Sequence, residues 1–396
     1  MQTAAAGPIA DSDTTPDAPT ATTAGLPASF PSPGLLALAD GLVVAGFLHG
    51  APVPAQGELV FTTAATGWGE ILTDPSYAGQ IVVLTHPMAG SYRIDRSELE
   101  SSRVQARALV VSRLVEPPIG PGLALVDLLR EGGIPVIAGI DTRALTLRLR
   151  NGAARRAVIV PATTASADAV DLAATSTPWD AVDHVASVSA REPYVVAPIG
   201  PRRARATLVD YGVKRSLLAA LAARGLEISV LPHDATAVDV QAREPDLVVL
   251  SPGPGDPSRM AAAIEVVGEL ARSAASGRGS PILGICLGHQ LLALATHAET
   301  RRLRVGHHGG NHAVLEIGTG RVDIGAHNHE VEVVDGPALA AAGYAVSHRD
   351  LNDGTVEGLV HESGRIASVQ FHPEGAPGPI DASRVFDLAL ERVTTP

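Results

Sequence analysis

Between residues 207 and 297, short apolar runs alternate with helical patterns, and this alternation constrains the fold more than any other feature of the sequence. Such a rhythm predicts a parallel sheet with helices on both faces, because each helix returns the chain to the same edge of the sheet. We therefore predict an α/β fold whose C-terminal domain, residues 205–396, contains a doubly wound, mostly parallel sheet. Shorter strands and a closing helix are predicted after residue 308. The predicted parallel strands cover residues 207–212, 226–232, 245–251 and 281–285.

The rest of the chain divides into three segments of different composition. Residues 34–165 begin with short apolar and β-branched runs split by Gly and Pro, and they predict a mixed domain that is β-rich at its start. A helix is predicted there with Asp141 as its N-cap. Residues 1–33 are rich in Ala, Thr, Pro, Ser and Asp and predict a disordered tail. Residues 166–204 are weakly patterned and predict a connecting segment with one short helix.

The charge and composition of the chain argue against several classes of protein. Thirty basic and 42 acidic residues give a net charge of −12, and without a basic cluster this argues against a nucleic-acid partner. The sequence contains no apolar run of the ~18 residues that a membrane helix needs, so we expect no membrane association. The first basic residue is Arg93, so we expect no leader peptide and a cytoplasmic location. One cysteine fits a reducing compartment.

That single cysteine, Cys286, follows the last predicted parallel strand and precedes a predicted helix. Ligands of doubly wound sheets lie at the carboxyl ends of the strands, and a helix N-terminus favours a thiolate. Gly284 and Gly288 flank Cys286 in the spacing of the strained strand–turn–helix elbow that carries nucleophiles. A lone cysteine is usually a small core residue. The elbow pattern favours a nucleophile instead.

A thiol nucleophile needs a base and a group that orients the base, and His372 and Glu374 fit both roles. Pro373 biases His372 towards extended backbone, where residues i and i+2 point to the same side. On its own, His372 is equally well explained as a residue that ends a strand. Together with the cysteine elbow, the pattern predicts a catalytic set of Cys286, His372 and Glu374.

A glycine-rich loop after another predicted strand offers backbone donors for an oxyanion. Gly253 and Gly255 in "SPGPGDP" allow N–H groups to approach a ligand closely, although such a stretch can also be a simple turn. The Lys-Ser/Thr pair of a phosphate-binding loop is missing.

Eleven of the 14 histidines follow residue 205, and they do not show a recognised metal-ligand spacing. We therefore expect no metal site, and we interpret "GHHGGNH" and "HNH" as loop residues near the active site. Lys214, the only lysine, stands at a strand–helix junction. It is either a solvated residue of the first helical turn or a contact to another domain or partner.

These motifs resemble those of the class I glutamine amidotransferases. "GICLGHQ" at 284–290 resembles the nucleophile motif of that family, and His372–Glu374 resembles its His-x-Glu. Further stretches resemble carbamoyl-phosphate synthase small subunits, and the resemblance covers about residues 35–392. The stretches that carry it lie at residues 57–87, 139–146, 210–215, 253–257, 306–312 and 371–379.

The resemblance implies that Cys286 attacks the side-chain amide of glutamine, while His372, oriented by Glu374, transfers protons. It implies oxyanion donors at the backbone N–H groups of Gly253 and Leu287. It also implies glutamine contacts in both domains, which places the site at the domain interface. The contacts are expected at Ser76, Gly255, Gln290, Asn328, Glu330 and Val331.

The same resemblance implies that this chain needs no cofactor. Ammonia is expected to pass to a large partner subunit that uses ATP and Mg²⁺ to make carbamoyl phosphate. Two alternatives stay open: a paralogue that supplies ammonia to another synthase, and a non-catalytic regulatory homologue. The retained Cys286, His372 and Glu374 argue against the second.

Residues 328–331 depart from the family pattern, which has glycine and then an aromatic residue after Asn-His. Here Glu330 and Val331 take those places. Glutamate at a position where glycine permits special backbone angles is expected either to strain the loop or to place an anion beside the substrate.

Overall fold

The N-terminal strands of this chain form a sheet that closes on itself, as seen in a computed structural model that describes residues 31–116 and 118–394. Seven strands pair in the order β1-β2-β8-β6-β4-β3-β9, and β9 pairs again with β1. Strands β5 and β7 form a separate two-stranded sheet. The strands are β1 (Ser32–Leu38), β2 (Val43–Gly50), β3 (Ala55–Thr62), β4 (Gln80–Leu84), β5 (Met88–Ala89), β6 (Ala108–Val110), β7 (Arg113–Leu114), β8 (Pro135–Ala138) and β9 (Arg156–Pro161).

Of the predicted disordered tail, residues 1–33, the first 30 residues lie outside the part of the chain that the structure describes. Its last residues correct the prediction, because β1 already begins at Ser32. Ser32 and Pro33 are held in the sheet by their pairing with Leu48 and Phe47 of β2.

Aliphatic side chains fill the inside of the closed sheet, and three helices cover part of its surface. Each fully buried Leu or Ile stabilises the fold by about 1.5–3 kcal/mol relative to an exposed one. The Asp141 carboxylate accepts a hydrogen bond of 2.9 Å from the Ala144 N–H, which confirms the predicted N-cap. The helices are α1 (Trp68–Thr73), α2 (Leu125–Glu131) and α3 (Thr142–Arg150), with 3₁₀ turns at Pro75–Tyr77 and Arg96–Glu98. The interior residues include Leu36, Leu59, Ile81, Val110, Ile137 and Ile159.

The segment at 166–204 contains more structure than the single helix predicted for it. Ala169 and Ala173 pack a helix against the closed sheet, and the Trp179 indole donates a hydrogen bond to the Ala78 carbonyl. Small alanine faces produce little hydrophobic contrast, which explains why the sequence pattern is weak there. The elements are α4 (Ser166–Thr175), a 3₁₀ turn at Trp179–Ala181, α5 (Val185–Val188) and β10 (Tyr194–Val196).

The predicted doubly wound sheet is confirmed and extends to ten strands in the order β10-β12-β11-β13-β14-β19-β18-β16-β15-β17. Strands β12, β11, β13, β14 and β19 run parallel, while β10 and the other four strands are antiparallel to their neighbours. The strands are β11 (Ala204–Asp210), β12 (Leu226–Pro232), β13 (Leu247–Leu250), β14 (Ile282–Ile285), β15 (Thr300–Glu316), β16 (Val322–Val333), β17 (Tyr344–Asp350), β18 (Val356–His361) and β19 (Ile366–Val369).

Helices cover both faces of this sheet, so its central strands are apolar throughout. Leu217 and Phe386 lie in the core on one face, and Val267 and Leu291 lie in the core on the other. The chain from Pro31 onwards groups as one compact unit. The helices are α6 (Arg215–Ala222), α7 (Ala237–Gln241), α8 (Ala261–Ala275), α9 (Leu287–Leu294), α10 (Pro337–Ala341) and α11 (Arg384–Thr394), with 3₁₀ turns at Pro257–Arg259 and Asp381–Ser383.

The prediction that "GHHGGNH" and "HNH" are loops is wrong. Both lie in long paired strands, β15 and β16, where His307 pairs with His329 and His308 with Asn328. The register of β15 shifts between Gly309 and His312, so an irregularity of the bulge type accommodates the glycines without ending the strand.

Of the helices in the described part of the chain, none has both the length and the apolar character required to cross a membrane.

Candidate active site

Cys286 lies at the sharp turn between β14 and α9 that the sequence predicts. Its φ and ψ angles are 51° and −103°, a strained conformation for a residue with a side chain. The residue is buried, and its sulfur lies 3.9 Å from the carbonyl oxygen of Asn328 on β16. Its own N–H donates to the Val369 carbonyl at the end of β19, which fixes the turn to the neighbouring strand.

The two glycines around Cys286 are required by close packing. A β-carbon on Gly288 would lie 2.3 Å from the Leu250 carbonyl oxygen, and one on Gly284 would lie 2.9 Å from the Gly288 carbonyl oxygen. Helix α9 can therefore approach β13 and β14 closely only with glycine at both positions. The spacing predicted from the sequence thus has a steric cause.

His372 and Glu374 lie beside Cys286, as predicted. The His372 Nδ1 atom is 2.8 Å from Glu374 Oε1, and its Nε2 atom is buried without a hydrogen-bond partner in the described structure. Burial alone would lower the pKa of His372, but the Glu374 carboxylate and the Cys286 side chain raise it to about 10. The imidazole is therefore arranged to hold a proton next to the sulfur.

Lys214 contacts the carboxylate of this set, which the sequence did not predict. Its Nζ atom lies 3.1 Å from Glu374 Oε1 and donates a 2.6 Å hydrogen bond to the Ala376 carbonyl. The interpretation as a solvated residue is wrong, because Lys214 is 2% exposed. Burial opposes the ionised form of Glu374, but Lys214 and His372 lower the pKa of that carboxyl to about 2.

Gly253, on a loop, and Leu287, at the start of α9, lie next to each other at the carboxyl edge of the sheet. A β-carbon on Gly253 would lie 2.8 Å from the Leu287 side chain and 2.3 Å from the Tyr211 carbonyl oxygen, so only glycine fits. Leu287 is the first residue of α9, where a backbone N–H has no acceptor within the helix. Gly255 has a φ of 104°, a conformation that favours glycine.

One cavity brings together Cys286 and nearly all the predicted glutamine contacts from both sequence regions. Leu287 is the predicted contact that does not line it among the described residues; its side chain packs beneath Gly253. His308 and His329, from the two motifs expected near the active site, also line the cavity, as do Gln80, Trp179 and Pro254, for which the sequence offered no signal. The predicted residues in its wall are Ser76, Gly253, Gly255, Cys286, Gln290, Asn328, Glu330 and Val331.

Polar contacts orient several of these residues. The Asn328 side-chain amide donates to the Asp74 carboxylate at 3.0 Å, and the Gln290 side chain donates to the Val331 carbonyl at 2.8 Å. The Ser76 hydroxyl is buried and has no hydrogen-bond partner in the described structure. An unused buried hydroxyl in a cavity wall is suited to bind a polar ligand.

Glu330 does not strain its loop, which corrects the first expectation, whereas its carboxylate does lie in the cavity wall, as an anion compensated by neighbouring groups. It lies in regular strand β16 and does not have a positive φ. Its carboxylate accepts a 2.7 Å hydrogen bond from His308 and forms an ion pair with Arg155 from the N-terminal region. Burial alone would raise the pKa of Glu330, but His308 and the arginines lower it.

Four histidines of β15 and β16 form a group in which His312 is half-buried and the other three are buried. The rings of His307, His312, His327 and His329 approach one another with centroid separations of 4.5–5.8 Å. Glu357 of β18 lies among them, and residues of this group are placed to hold a metal ion. The expectation of no metal site rested on the lack of a recognised sequence spacing, which ligands from separate strands need not show, and it stays a prediction.

Two segments of the chain match described protein families. Residues 207–391 match the family described as glutamine amidotransferase class-I. Residues 36–159 match the family described as carbamoyl-phosphate synthase small chain, CPSase domain. Among solved structures, a glutamine amidotransferase from Thermotoga maritima is similar over 44% of this chain and 77% of its own, with 18% identity and a TM-score of 0.34.

Curated relatives match nearly the whole chain. The carbamoyl phosphate synthase small chain of Methanopyrus kandleri is 42% identical over 361 residues, which cover 90% of this chain and 97% of that protein. The small chain of Listeria innocua is 40% identical, over 90% of this chain and 96% of its own. The pyrimidine-specific small chain of Halalkalibacterium halodurans is 41% identical over the same shares. With this identity along both regions, the chain belongs to the family of carbamoyl phosphate synthase small chains.

Proposed function

We propose that this chain hydrolyses the side-chain amide of glutamine and delivers the ammonia to the large subunit of a carbamoyl phosphate synthase. The observation that carries the proposal is the buried set of Cys286, His372 and Glu374. This set adjoins a cavity whose wall includes Ser76 from the N-terminal region.

The first half of the reaction forms a thioester. The Cys286 sulfur attacks the amide carbon of glutamine, and His372 takes the thiol proton at Nε2, the atom left unpartnered and buried. His372 returns that proton to the amide nitrogen, the C–N bond breaks, and ammonia leaves. Glu374 holds the ring through Nδ1, so that Nε2 faces the sulfur.

The second half consumes one water molecule. His372 takes a proton from water while the water oxygen attacks the thioester carbon. The C–S bond then breaks and glutamate is released. The proton returns to Cys286. The N–H groups of Gly253 and Leu287 stabilise the negative oxygen in both halves, because the closely packed Gly253 loop and the first turn of α9 keep their orientation during the reaction.

In this proposal the hydrolysis uses only side chains and backbone groups of this chain. ATP and Mg²⁺ act in the large subunit, and a glutamine-binding small chain supplies only ammonia. The relatives' names, which describe a small chain of carbamoyl phosphate synthase, support the existence of a second, larger chain. A single cysteine, which cannot form an internal disulfide, is typical of reducing compartments and supports a cytoplasmic location.

The experiment combines the chain with candidate large subunits and follows carbamoyl phosphate formation from glutamine or from free ammonia. Cys286→Ser is expected to abolish the glutamine-dependent reaction and to leave the ammonia-dependent reaction intact, which serves as the internal control. If glutamine supported the reaction equally well in the Cys286→Ser variant, Cys286 would not be the nucleophile.

A second candidate is a paralogue that supplies ammonia to another synthase. The observation in its favour is the His308–Glu330–Arg155 network beside the cavity, at a position where the family pattern has glycine. In that case the chain would hydrolyse glutamine but would fail to form a glutamine-dependent complex with carbamoyl phosphate synthase large subunits.

A further inference from the structure

The alternation of side chains along β16 creates two separate polar sites. Asn328 hydrogen-bonds His308 on the side of the cavity, whereas His327 and His329 approach Glu357 on the opposite side. Residues on this second side come from three strands: His307 from β15, the other two histidines from β16, and Glu357 from β18.

Three buried atoms of this group lack a partner in the described structure and converge on one point. His307 Nδ1 and His329 Nε2 each lie 3.8 Å from Glu357 Oε1, and all three atoms are without a hydrogen bond. Glu357 is completely buried and both rings are nearly so. Buried polar atoms are rarely left unpaired, so this convergence requires a physical explanation.

The outer contacts of the rings leave the inner nitrogens free to bind a cation. His329 Nδ1 lies 2.9 Å from the Val331 carbonyl, where it can only donate, so Nε2 carries the lone pair. His307 Nε2 lies 2.8 Å from the Asp353 carboxylate, which in the same way leaves Nδ1 as an electron-pair donor. Metal-binding histidines are held in this manner, with the second ring nitrogen bound to a carbonyl or carboxylate.

We propose that His307, His327, His329 and Glu357 bind one zinc ion. One ligand atom from each lies within 4.8 Å of the others. Tetrahedral zinc with bonds of 2.0–2.1 Å places its ligands ~3.3 Å apart, so the pairs at 3.8 Å need to close by about half an ångström. His327 Nε2 hydrogen-bonds Glu357 Oε2 at 2.9 Å, so zinc would replace that proton, and the ring would then carry its proton on Nδ1, 3.3 Å from the Gly325 carbonyl. Imidazole and carboxylate ligands fit zinc better than magnesium or calcium.

A second arrangement of the same cluster replaces His329 and Glu357 by His312 and Asp350. It is less suited to a metal, because His312 Nδ1 and Asp350 bond each other at 2.8 Å, whereas His329 Nε2 and Glu357 Oε1 have no partner in the described structure. The proposed ion would cross-link β15, β16 and β18 directly behind Asn328. It would therefore act as a structural brace, independent of the chemistry proposed for Cys286.

The test measures metal binding by the untagged full chain after removal of metal with a chelator. Zinc stoichiometry is determined by elemental analysis and affinity by calorimetric titration, and Co²⁺ replaces zinc for visible absorption spectroscopy. One zinc per chain and the intense absorption of tetrahedral Co²⁺ are expected. Glu357→Gln and His307→Asn are expected to lower the affinity by more than about 100-fold, because they remove ligands.

Asp353→Asn tests the site without disturbing the core, because its side chain is 43% exposed. It weakens the outer contact of His307, while the amide oxygen can still accept the two hydrogen bonds from Thr355, so an affinity loss of about 10–100-fold is expected. The matched control is Asp335→Asn, because Asp335 is another exposed carboxylate and pairs with Arg349. This variant is expected to bind zinc with the affinity of the wild type. Failure of the wild type to bind zinc, or equal affinities for Asp353→Asn and Asp335→Asn, would overturn the proposal.

Discussion

Lys214 and Glu374 form an ion pair with 3.1 Å between Nζ and Oε1, and both side chains are almost completely buried. The same carboxylate oxygen lies 2.8 Å from His372 Nδ1. The only lysine of the chain therefore supports the group that orients the proposed base. It does so from β11–α6, whereas His372 and Glu374 follow β19, so the arrangement exists only in the folded sheet.

Replacement of Lys214 by methionine should destabilise the protein strongly. It leaves the Glu374 carboxylate buried without its cation, which typically costs about 3–5 kcal/mol. Urea unfolding followed by circular dichroism measures the change in unfolding free energy. The control is Arg96→Met, which breaks an ion pair with Glu131 whose side chains are more than half exposed; its expected cost is about 0–1 kcal/mol. Similar costs for both variants would contradict the assigned role.

The acid sensitivity of the fold should depend on Glu374. Burial alone would raise its pKa, but Lys214 and His372 lower it from 4.5 to about 2. A carboxyl whose pKa is lower in the folded state than in the unfolded state stabilises the fold fully at pH values above its unfolded-state pKa. This stabilisation is lost as the pH falls through its folded-state pKa. The difference in unfolding free energy between the wild type and Glu374→Gln should therefore shrink by about 3 kcal/mol between pH ~5 and pH ~2. Urea titrations at several pH values test this, and a difference that stays constant with pH would refute it.

Glu330→Gln should affect stability more than glutamine affinity. The carboxylate is already compensated by His308 and Arg155, so its removal breaks charge-assisted bonds between the two regions without removing a free anion from the cavity. We expect a stability loss of about 1–3 kcal/mol and a change in KM for glutamine below about tenfold. Exposed Glu362→Gln is the control. A large change in KM with unchanged stability would show that Glu330 acts on the substrate instead.

Gly288→Ala should disturb the cysteine turn through steric overlap. The new β-carbon would lie 2.3 Å from the Leu250 carbonyl oxygen, which is backbone and cannot move aside. A loss of at least about 1–3 kcal/mol is expected, together with reduced glutaminase activity, because α9 must shift away from β13. Gly318→Ala is the matched control, since its β-carbon would meet no atom within 4 Å in the described structure. Equal stability of the two variants would count against close packing as the reason for glycine.

The sequence alone determined the C-terminal sheet and the turn that carries Cys286. Local signals were sufficient there: apolar runs alternate with helices, and two glycines bracket the cysteine at a strand–helix junction. Close backbone packing at the cysteine turn requires both glycines of Gly-x-Cys-x-Gly. Because these glycines lie two residues from Cys286, the requirement appears as a short sequence motif. His372 and Glu374 were likewise predictable, because they are two residues apart and follow a strand.

Only the tertiary structure decided the partners that meet across the sheets. Lys214 pairs with Glu374 over 160 positions of chain, Asn328 bonds Asp74 from the other region, and Arg155 compensates Glu330. From the sequence, the two histidine motifs are interpreted as loops, whereas strand pairing with a register shift holds them in a sheet. Contacts between distant segments depend on register and strand order, and neither leaves a local pattern in the sequence.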